Sequence, residues 1–311
     1  MHDSPAHRTR RTALGLGAGI AAATAVSVAT GGTAHATALP MGHHVSRRLR
    51  ELERLHSARI GVFAGNVRTG STVAYRAAER FPLCSLFKTL AAAAVLRDLD
   101  HDGAFLAKRV HYTARYAKDS GYDAITGKPE NVARGMTVEE LCSAAVSHSD
   151  NAAANLLLEE LGGPTAITRF CRSTGDRTTR LDRWEPHLNS AEPHRRTDTT
   201  TPLAIARTYS RLTLGDALDP GDRRRLTRWM LATSTSTHRF RAGLPDGWTV
   251  ADKTGTGSYG TANDAGTAWT PDGTPVVLSV LTTKRDREAP ADDALVAAVA
   301  RLVSGALVEN V

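Results

Sequence analysis

The chain is built around Cys84-Ser85-Leu86-Phe87-Lys88-Thr89-Leu90, which continues into the apolar run 91–96. Ser85 and Lys88 are three residues apart, so on a helix they share one face, with about 5–6 Å between their Cβ atoms. Most of the residues around them are apolar, which predicts a buried helix that closes near residue 101. A buried lysine is costly unless it has a partner or a chemical role.

This pair has the chemistry of an activated nucleophile. A serine reacts poorly until a neighbour takes its proton, and a desolvated lysine whose pKa is lowered can do so. If Ser85 lies near the first turn of the helix, backbone N–H groups and the helix dipole also face any anion formed there. The alternative is a helix start with a chance Ser-x-x-Lys, because only two positions of the pattern are fixed.

Length and composition indicate an ordinary globular protein. The 311 residues are 41% apolar and 23% charged, which allows a large core in one domain or two. The formal net charge of +7 falls to +5 without residues 1–36. Because the arginines are scattered and lack interleaved aromatic residues, a solvated surface is favoured over a nucleic-acid interface.

Residues 1–36 are expected to be an export signal and not part of the fold. Arg10-Arg11 forms a twin-arginine motif, and the Gly/Ala-rich stretch after it is too weakly apolar for a membrane anchor. Ala34-His35-Ala36 is a small-x-small cleavage site. The prediction is cleavage after Ala36 and a secreted protein without membrane contact; the alternative is a disordered basic tail.

Hydrophobic periodicity predicts how the rest of the chain is organised. Strands are expected at 59–66, 72–77, 249–254, 263–269 and 275–283, and further helices at 45–56, 136–161, 202–214, 220–231 and 291–307. Residues 108–134 have an irregular polar pattern. The order predicts that 42–79 and 232–311 form one α/β domain and that 80–231 form an inserted all-helical domain.

Two more clusters have polar residues next to predicted elements. Ser149-Asp150-Asn151 lies at a break before the apolar helix 152–158, where the side chains could cap a helix or face a cleft. Lys253-Thr254-Gly255-Thr256-Gly257 ends a strand with glycines that could let a substrate lie against the backbone. Each is weak alone, since helix caps and glycines after strands are common.

The stretch 180–202 has no period, and an aperiodic segment of this length in a compact domain is usually functional. It contains Glu185 and Asn189, and Arg183 and Asp198 at its two ends carry opposite charge. The alternative is a surface loop that a salt bridge closes.

In this order, the four clusters resemble the class A serine β-lactamases over nearly all of the chain after residue 36. The resemblance implies a mixed α+β fold, with an antiparallel β-sheet flanked by helices, formed from both chain ends, plus an inserted all-helical domain. The active site would lie between these two parts. The implied substrate is a small-molecule β-lactam, with no cofactor, no metal and no nucleic acid, and the protein is expected to be a monomer.

The resemblance also implies a role for each motif residue. Ser85 would be the nucleophile and Lys88 its proton-transfer partner, while Ser149 would pass a proton to the leaving nitrogen. Glu185, with Asn189, would hold the hydrolytic water. Whether Lys88 or Glu185 is the acylation base stays open.

The remaining roles implied by the resemblance concern binding of the substrate. Asn151 would bind its acylamide side chain, and the N–H groups of Ser85 and Thr256 would form the oxyanion hole. The Lys253-Thr254-Gly255 motif would hold its carboxylate. Family members add an arginine at one of two places, and here Ala262 occupies the first and Arg239 the second. Arg239 is therefore the predicted carboxylate ligand, and Tyr122 the nearest match to the aromatic residue beside the cleft.

The cysteines depart from the commoner family patterns. Cys142 and Cys84 match positions that form disulfides in some members, but the partner positions hold Ala92 and Gly257. All three cysteines, including Cys171, are therefore expected to be buried thiols. Since the second bridge is typical of carbapenem-hydrolysing members, that activity loses support.

Three other functions compete with hydrolysis of β-lactams. A D-alanyl-D-alanine carboxypeptidase, or penicillin-binding protein, shares three of the motifs but does not need Glu185 and Asn189. A non-hydrolytic β-lactam sensor is usually tethered to a membrane, and no apolar span of about 20 residues follows the leader. A zinc hydrolase is disfavoured because the 12 histidines form no metal-binding motif.

Overall fold

The computed structural model describes residues 41–308, with side chains from His44 onward. The predicted signal, 1–36, lies outside the described residues. The described residues belong to one compact unit. The division of this unit at residues 80 and 231 stays a prediction.

Both ends of the chain contribute to one five-stranded antiparallel sheet. The strands are β1 (Ala58–Asn66), β2 (Thr72–Tyr75), β3 (Thr249–Gly257), β4 (Thr261–Trp269) and β5 (Pro275–Lys284). Their order across the sheet is β2-β1-β5-β4-β3. All five predicted strands are therefore confirmed. Strand β3 runs three residues further than predicted because its glycines stay in the ladder, with Gly255 opposite Asn263.

The described residues also form twelve α-helices. They are α1 (Met41–Leu55), α2 (Phe87–Asp98), α3 (Ala104–Ala107), α4 (Ala114–Asp119), α5 (Pro129–Arg134), α6 (Val138–Ser147), α7 (Asn151–Glu160), α8 (Thr165–Ser173), α9 (Pro202–Thr213), α10 (Pro220–Leu231), α11 (Phe240–Gly243) and α12 (Asp293–Val308). Helices α2 to α11 fall between β2 and β3 in sequence. The mixed α+β prediction is confirmed. None of these helices in 41–308 combines the length and apolar character needed to span a membrane.

The sheet separates two apolar cores because successive side chains of a strand face opposite sides. Val280 joins the core formed with α1 and α12, whereas its neighbour Leu281 joins the core formed with the central helices. In the second core α2 is buried throughout residues 87–96, as its apolar composition predicts. This buried helix carries Lys88 into the interior.

The central region differs from the sequence-based expectation at three places. The predicted helix 136–161 is two helices, because the left-handed backbone of Ser149 (φ 60°) ends one and Asp150 caps the next. The irregular segment 108–134 contains the short helices α4 and α5. Helix α8 was not predicted, although its buried residues Ile167, Phe170 and Cys171 have helical spacing.

Candidate active site

Ser85 lies in a 3₁₀ turn, Cys84–Leu86, directly before α2. Ser85 therefore lies near the first turn of the helix, as predicted, but in a 3₁₀ turn and not in the α-helix itself. Cys84 has a left-handed backbone (φ 45°), a conformation that costs a non-glycine residue on the order of 1–3 kcal/mol and often occurs at functional sites. The Tyr209 hydroxyl donates to the Leu86 carbonyl at 2.6 Å and so holds the turn from α9.

Lys88 is completely buried and has three strong acceptors. Its Nζ lies 2.6 Å from Asn151 Oδ1, 2.7 Å from the Ser149 carbonyl and 3.1 Å from Glu185 Oε1. Burial lowers the pKa of Lys88, while the Glu185 carboxylate opposes that shift. The Ser85 hydroxyl donates to the same Glu185 Oε1 at 3.4 Å. One carboxylate oxygen therefore faces both the serine and the lysine.

Ser149 lies between two buried lysines. Its Oγ is 3.0 Å from Lys253 Nζ and 3.5 Å from Lys88 Nζ. The left-handed backbone at Ser149 also directs its carbonyl to Lys88. Asp150, the next residue, accepts from Ala153 N at 2.9 Å and caps α7. The motif thus both caps a helix and faces the site.

Glu185 is fixed by two asparagines. Asn155 makes a pair of hydrogen bonds to its backbone, each of 3.0 Å. Asn189 Nδ2 donates to Glu185 Oε2 at 2.5 Å. Sequence analysis missed Asn155, although it lies one helical turn after Asn151 on α7, a spacing that places both side chains on one face.

The loop that carries Glu185 is closed by the predicted salt bridge. Arg183 Nε lies 2.6 Å from Asp198 Oδ2, and the other oxygen of Asp198 accepts from the N–H groups of Asp182 and Arg183. The Asp198 side chain is only 1% exposed. The loop is therefore part of the folded body, and its closing bond holds Glu185 against α7 and α2.

Lys253 on β3 is also fully buried. Besides Ser149 Oγ, its Nζ donates to the Thr254 carbonyl at 2.9 Å. Burial, followed by repulsion from Lys88, lowers the pKa of Lys253 to about 7. Thr254 Oγ1 shares a hydrogen bond of 2.6 Å with Thr235, a neighbour that sequence analysis also missed.

The two glycines of the β3 motif face protein and not an open surface. A Cβ on Gly255 would lie 3.2 Å from the Leu83 carbonyl and 3.3 Å from Ser85 N. A Cβ on Gly257 would lie 2.8 Å from the Asn189 carbonyl and 2.9 Å from Cys84 Sγ. The prediction that these glycines make room for a substrate is therefore revised. They let β3 approach the serine turn and the Glu185 loop.

Arg239 is buried, with 5% of its surface exposed. Its guanidinium donates to the carbonyls of Gly255 and Asn263 and, at 2.8 Å, to Thr256 Oγ1, and it pairs with Asp293. The structure therefore joins Arg239 to the strand of the Lys253 motif through Thr256, as a packed side chain, and its role as a carboxylate ligand stays a prediction.

A cleft of about 570 Å³ adjoins these residues. Pro186, His187 and Asn189 line one side, and Gly257 and Ser258 the other. Tyr122 is 49% exposed, and its carbonyl accepts from Asn151 N.

The three cysteines are free and buried, and burial raises the pKa of each thiol. Residues 44–308 contain no cluster of His, Cys, Asp or Glu suited to a metal ion.

Comparisons with known proteins agree with this arrangement. The family model for the "Beta-lactamase enzyme family" matches residues 44–307. A β-lactamase of Streptomyces fradiae is 62% identical over 309 residues, which span 99% of this chain and 100% of that protein. One from Streptomyces lavendulae is 61% identical over 308 residues and has the same coverage.

Solved structures give the same result. The β-lactamase of Streptomyces albus G superimposes with a TM-score of 0.84 at 61% identity, and the match covers 85% of this chain and 99% of that one. The full-length identity, the family match and the shared fold lead to one conclusion: the chain belongs to the class A serine β-lactamases.

Proposed function

We propose that the protein hydrolyses penicillins and cephalosporins through an acyl-enzyme on Ser85, and so confers β-lactam resistance. The observation that carries the proposal is the position of Glu185. Its Oε1 lies 3.4 Å from Ser85 Oγ and 3.1 Å from Lys88 Nζ, while Asn189 holds its other oxygen. The carboxylate base therefore lies beside the serine nucleophile, as two-step hydrolysis requires.

In the first step, Ser85 Oγ attacks the lactam carbonyl and its proton passes to Lys88 or Glu185. The N–H groups of Ser85 and Thr256 stabilise the oxyanion. The lactam C–N bond then breaks, and Ser149 gives its proton to the leaving nitrogen. The contacts of Ser149 Oγ with Lys253 and Lys88 support this role, because a proton can reach the hydroxyl through either lysine.

In the second step, a water attacks the ester while Glu185 takes its proton. The carboxylate must stay where it is when the acyl group arrives, since a general base acts within hydrogen-bond reach. The paired bonds from Asn155 and the bond from Asn189 supply that rigidity. The peptidase and the sensor do not need this arrangement, so it favours turnover over a long-lived adduct.

Charge supports binding of the carboxylate that these substrates carry. Lys253 donates to the Thr254 carbonyl and Arg239 donates to Thr256 Oγ1, so both cations contact the segment that begins with Lys253-Thr254-Gly255, the motif we assign to the substrate carboxylate. Asn151 would hold the acylamide group. The cleft beside Asn189 and Gly257 would receive the rest of the side chain.

The leader motif supports export by the twin-arginine route with cleavage after Ala36, and we propose that the secreted protein acts as a monomer.

The decisive test of function is hydrolysis of a chromogenic cephalosporin and of a penicillin by the purified mature protein, followed by absorbance, with Ser85→Ala as control. Turnover that Ser85→Ala abolishes supports the proposal. A stable adduct on Ser85 without turnover would favour the sensor or peptidase.

A further inference from the structure

A cleft lined mainly by arginine lies between α1 and the residue that follows β2. Its volume is about 360 Å³, and its lining residues are Arg47, Arg50, Glu53, Arg54 and Arg76. Small-molecule sites in proteins have volumes of roughly 300–1,000 Å³, so this cleft is large enough for a small ligand. Four of the five lining side chains are cationic. We call it the arginine cleft.

Arg47, Arg50 and Arg54 form a row on the exposed face of α1. Residues three and four apart on a helix are neighbours, and at 1.5 Å per residue the row is about 10 Å long. The opposite face of α1 buries Val45 and Leu49 in the core, so the row faces away from the protein. None of the three arginines forms an ion pair with another residue in 44–308. Three like charges in a row repel one another, and a bound anion would relieve that repulsion.

The Glu53 carboxylate does not neutralise the row, because other groups already bind both of its oxygens. Arg76 donates to Oε1 at 2.9 Å through Nε and to Oε2 at 3.1 Å through Nη2. The Ile60 N–H donates to Oε1 at 2.9 Å, and the Tyr75 hydroxyl donates to Oε2 at 2.8 Å. Glu53 and Arg76 therefore neutralise each other, and the charge of the three α1 arginines is left without a counter-ion.

The lining selects the class of anion. A guanidinium group donates two parallel hydrogen bonds to a phosphate, and three such groups along about 10 Å fit a chain of phosphates better than a single one. Within the described residues, the lining contains no aromatic side chain on which a base could stack and no apolar residue for a lipid tail. A bare phosphate chain, which carries charge along its whole length, is the ligand that fits.

The arginine cleft is remote from the active site. Strands β2 and β3 are the two edges of the sheet, with three strands between them. Because neighbouring strands lie about 4.7–4.9 Å apart, β2 and β3 are separated by about 19 Å. Arg76 directly follows β2, whereas Lys253 lies on β3. Binding in the cleft and chemistry at Ser85 can therefore be measured separately.

We propose that the arginine cleft binds a short chain of phosphates of the inorganic polyphosphate type, with Arg47, Arg50 and Arg54 as the groups that contact it. Arg76 is a positioning residue, because it holds the Glu53 carboxylate in an ion pair beside the row. The inference goes beyond the proposed function and does not depend on it, since none of these residues belongs to the hydrolytic site.

Isothermal titration calorimetry of the purified mature protein with inorganic tripolyphosphate tests the proposal. One molecule should bind per protein, at least about tenfold more tightly than orthophosphate, since loss of one hydrogen bond to a charged group weakens binding by about tenfold or more. For the same reason Arg50→Gln should weaken binding of tripolyphosphate by about tenfold. The triple variant Arg47→Gln/Arg50→Gln/Arg54→Gln should weaken it by about 100-fold. The affinity of the wild type should fall as salt is added, because exposed charges are screened.

A second triple variant, Arg207→Gln/Arg224→Gln/Arg228→Gln, is the matched control. It removes the same charge from exposed positions of α9 and α10 and should bind tripolyphosphate as the wild type does. Glu53→Gln removes the negative charge from the lining and should raise the affinity about fivefold, the equivalent of about 1 kcal/mol between unit charges in water. Both triple variants should hydrolyse a chromogenic cephalosporin at the wild-type rate.

A wild type that does not bind tripolyphosphate would overturn the proposal. Equal weakening by the two triple variants would do the same, because it would assign binding to the net charge and not to the cleft. Tighter binding of a hexaglutamate peptide than of tripolyphosphate would replace the phosphate chain by an acidic peptide. A wild type that binds tripolyphosphate in the cleft but fails to hydrolyse β-lactams would support this inference and refute the proposed function.

Discussion

Replacing Glu185 by glutamine removes one charge and one base while keeping the shape of the side chain. The backbone bonds to Asn155 involve no side-chain atom of Glu185, so they remain. The neutral amide can still contact Asn189. The loop should therefore stay folded, and the change tests chemistry and not stability.

The expected loss of rate follows from the role of the Glu185 carboxylate as a general base. Loss of a general base slows its step by about 10²–10⁴-fold, or about 2.7–5.4 kcal/mol of barrier, and we expect that loss in deacylation. Acylation should suffer less. The Glu185 carboxylate raises the pKa of Lys88, so its removal leaves more of the neutral amine, which can take the Ser85 proton.

Mass spectrometry during turnover of a penicillin is the direct assay. Glu185→Gln should accumulate an adduct of one penicillin on Ser85, whereas the wild type should show none after the same brief incubation. Glu160→Gln, a surface carboxylate at the end of α7 that pairs with Lys108, is the control and should turn over normally. Wild-type turnover by Glu185→Gln would refute the reasoning. An equal loss of acylation would make Glu185 the base for both steps.

Four further changes test other parts of the site. Arg239→Ala should lower kcat/KM for carboxylate-bearing β-lactams by about 10–150-fold, the equivalent of about 1.5–3 kcal/mol for a lost charge-assisted contact; unchanged steady-state kinetics would assign the carboxylate to Lys253 alone. Because the ammonium form of Lys253 exists below its pKa of about 7, kcat/KM for these substrates should decline as pH rises through that value, and a flat profile from pH 6 to 9 would contradict the assignment. Asp198→Asn weakens the buried bond to Arg183 and should reduce the free energy of unfolding in urea by about 1–3 kcal/mol, whereas Glu51→Gln, in an exposed pair with Arg48, should change it little. Replacing Arg10 and Arg11 by lysine should leave the precursor inside the cell, as a cell-fractionation blot would show; normal secretion would exclude the twin-arginine route.

Local sequence was enough for the elements whose pattern is strong. The buried helix after Ser85, the five strands and the terminal helices follow from apolar runs and alternation, because burial of one face or of the whole element leaves a period in the sequence. The salt bridge of Arg183 with Asp198 was also predictable from opposite charges at the ends of one loop. The family followed from four short motifs in order.

Tertiary structure decided which atoms meet. Glu185 is 100 residues from Ser85 in sequence, and only the fold places its oxygen between the Ser85 hydroxyl and the Lys88 amine. The same holds for the burial of Arg239, which no local pattern reveals, and for the glycines of β3, whose neighbours Leu83 and Asn189 come from distant segments. The physical reason is that packing, and not the local pattern, brings side chains from distant segments within hydrogen-bond distance.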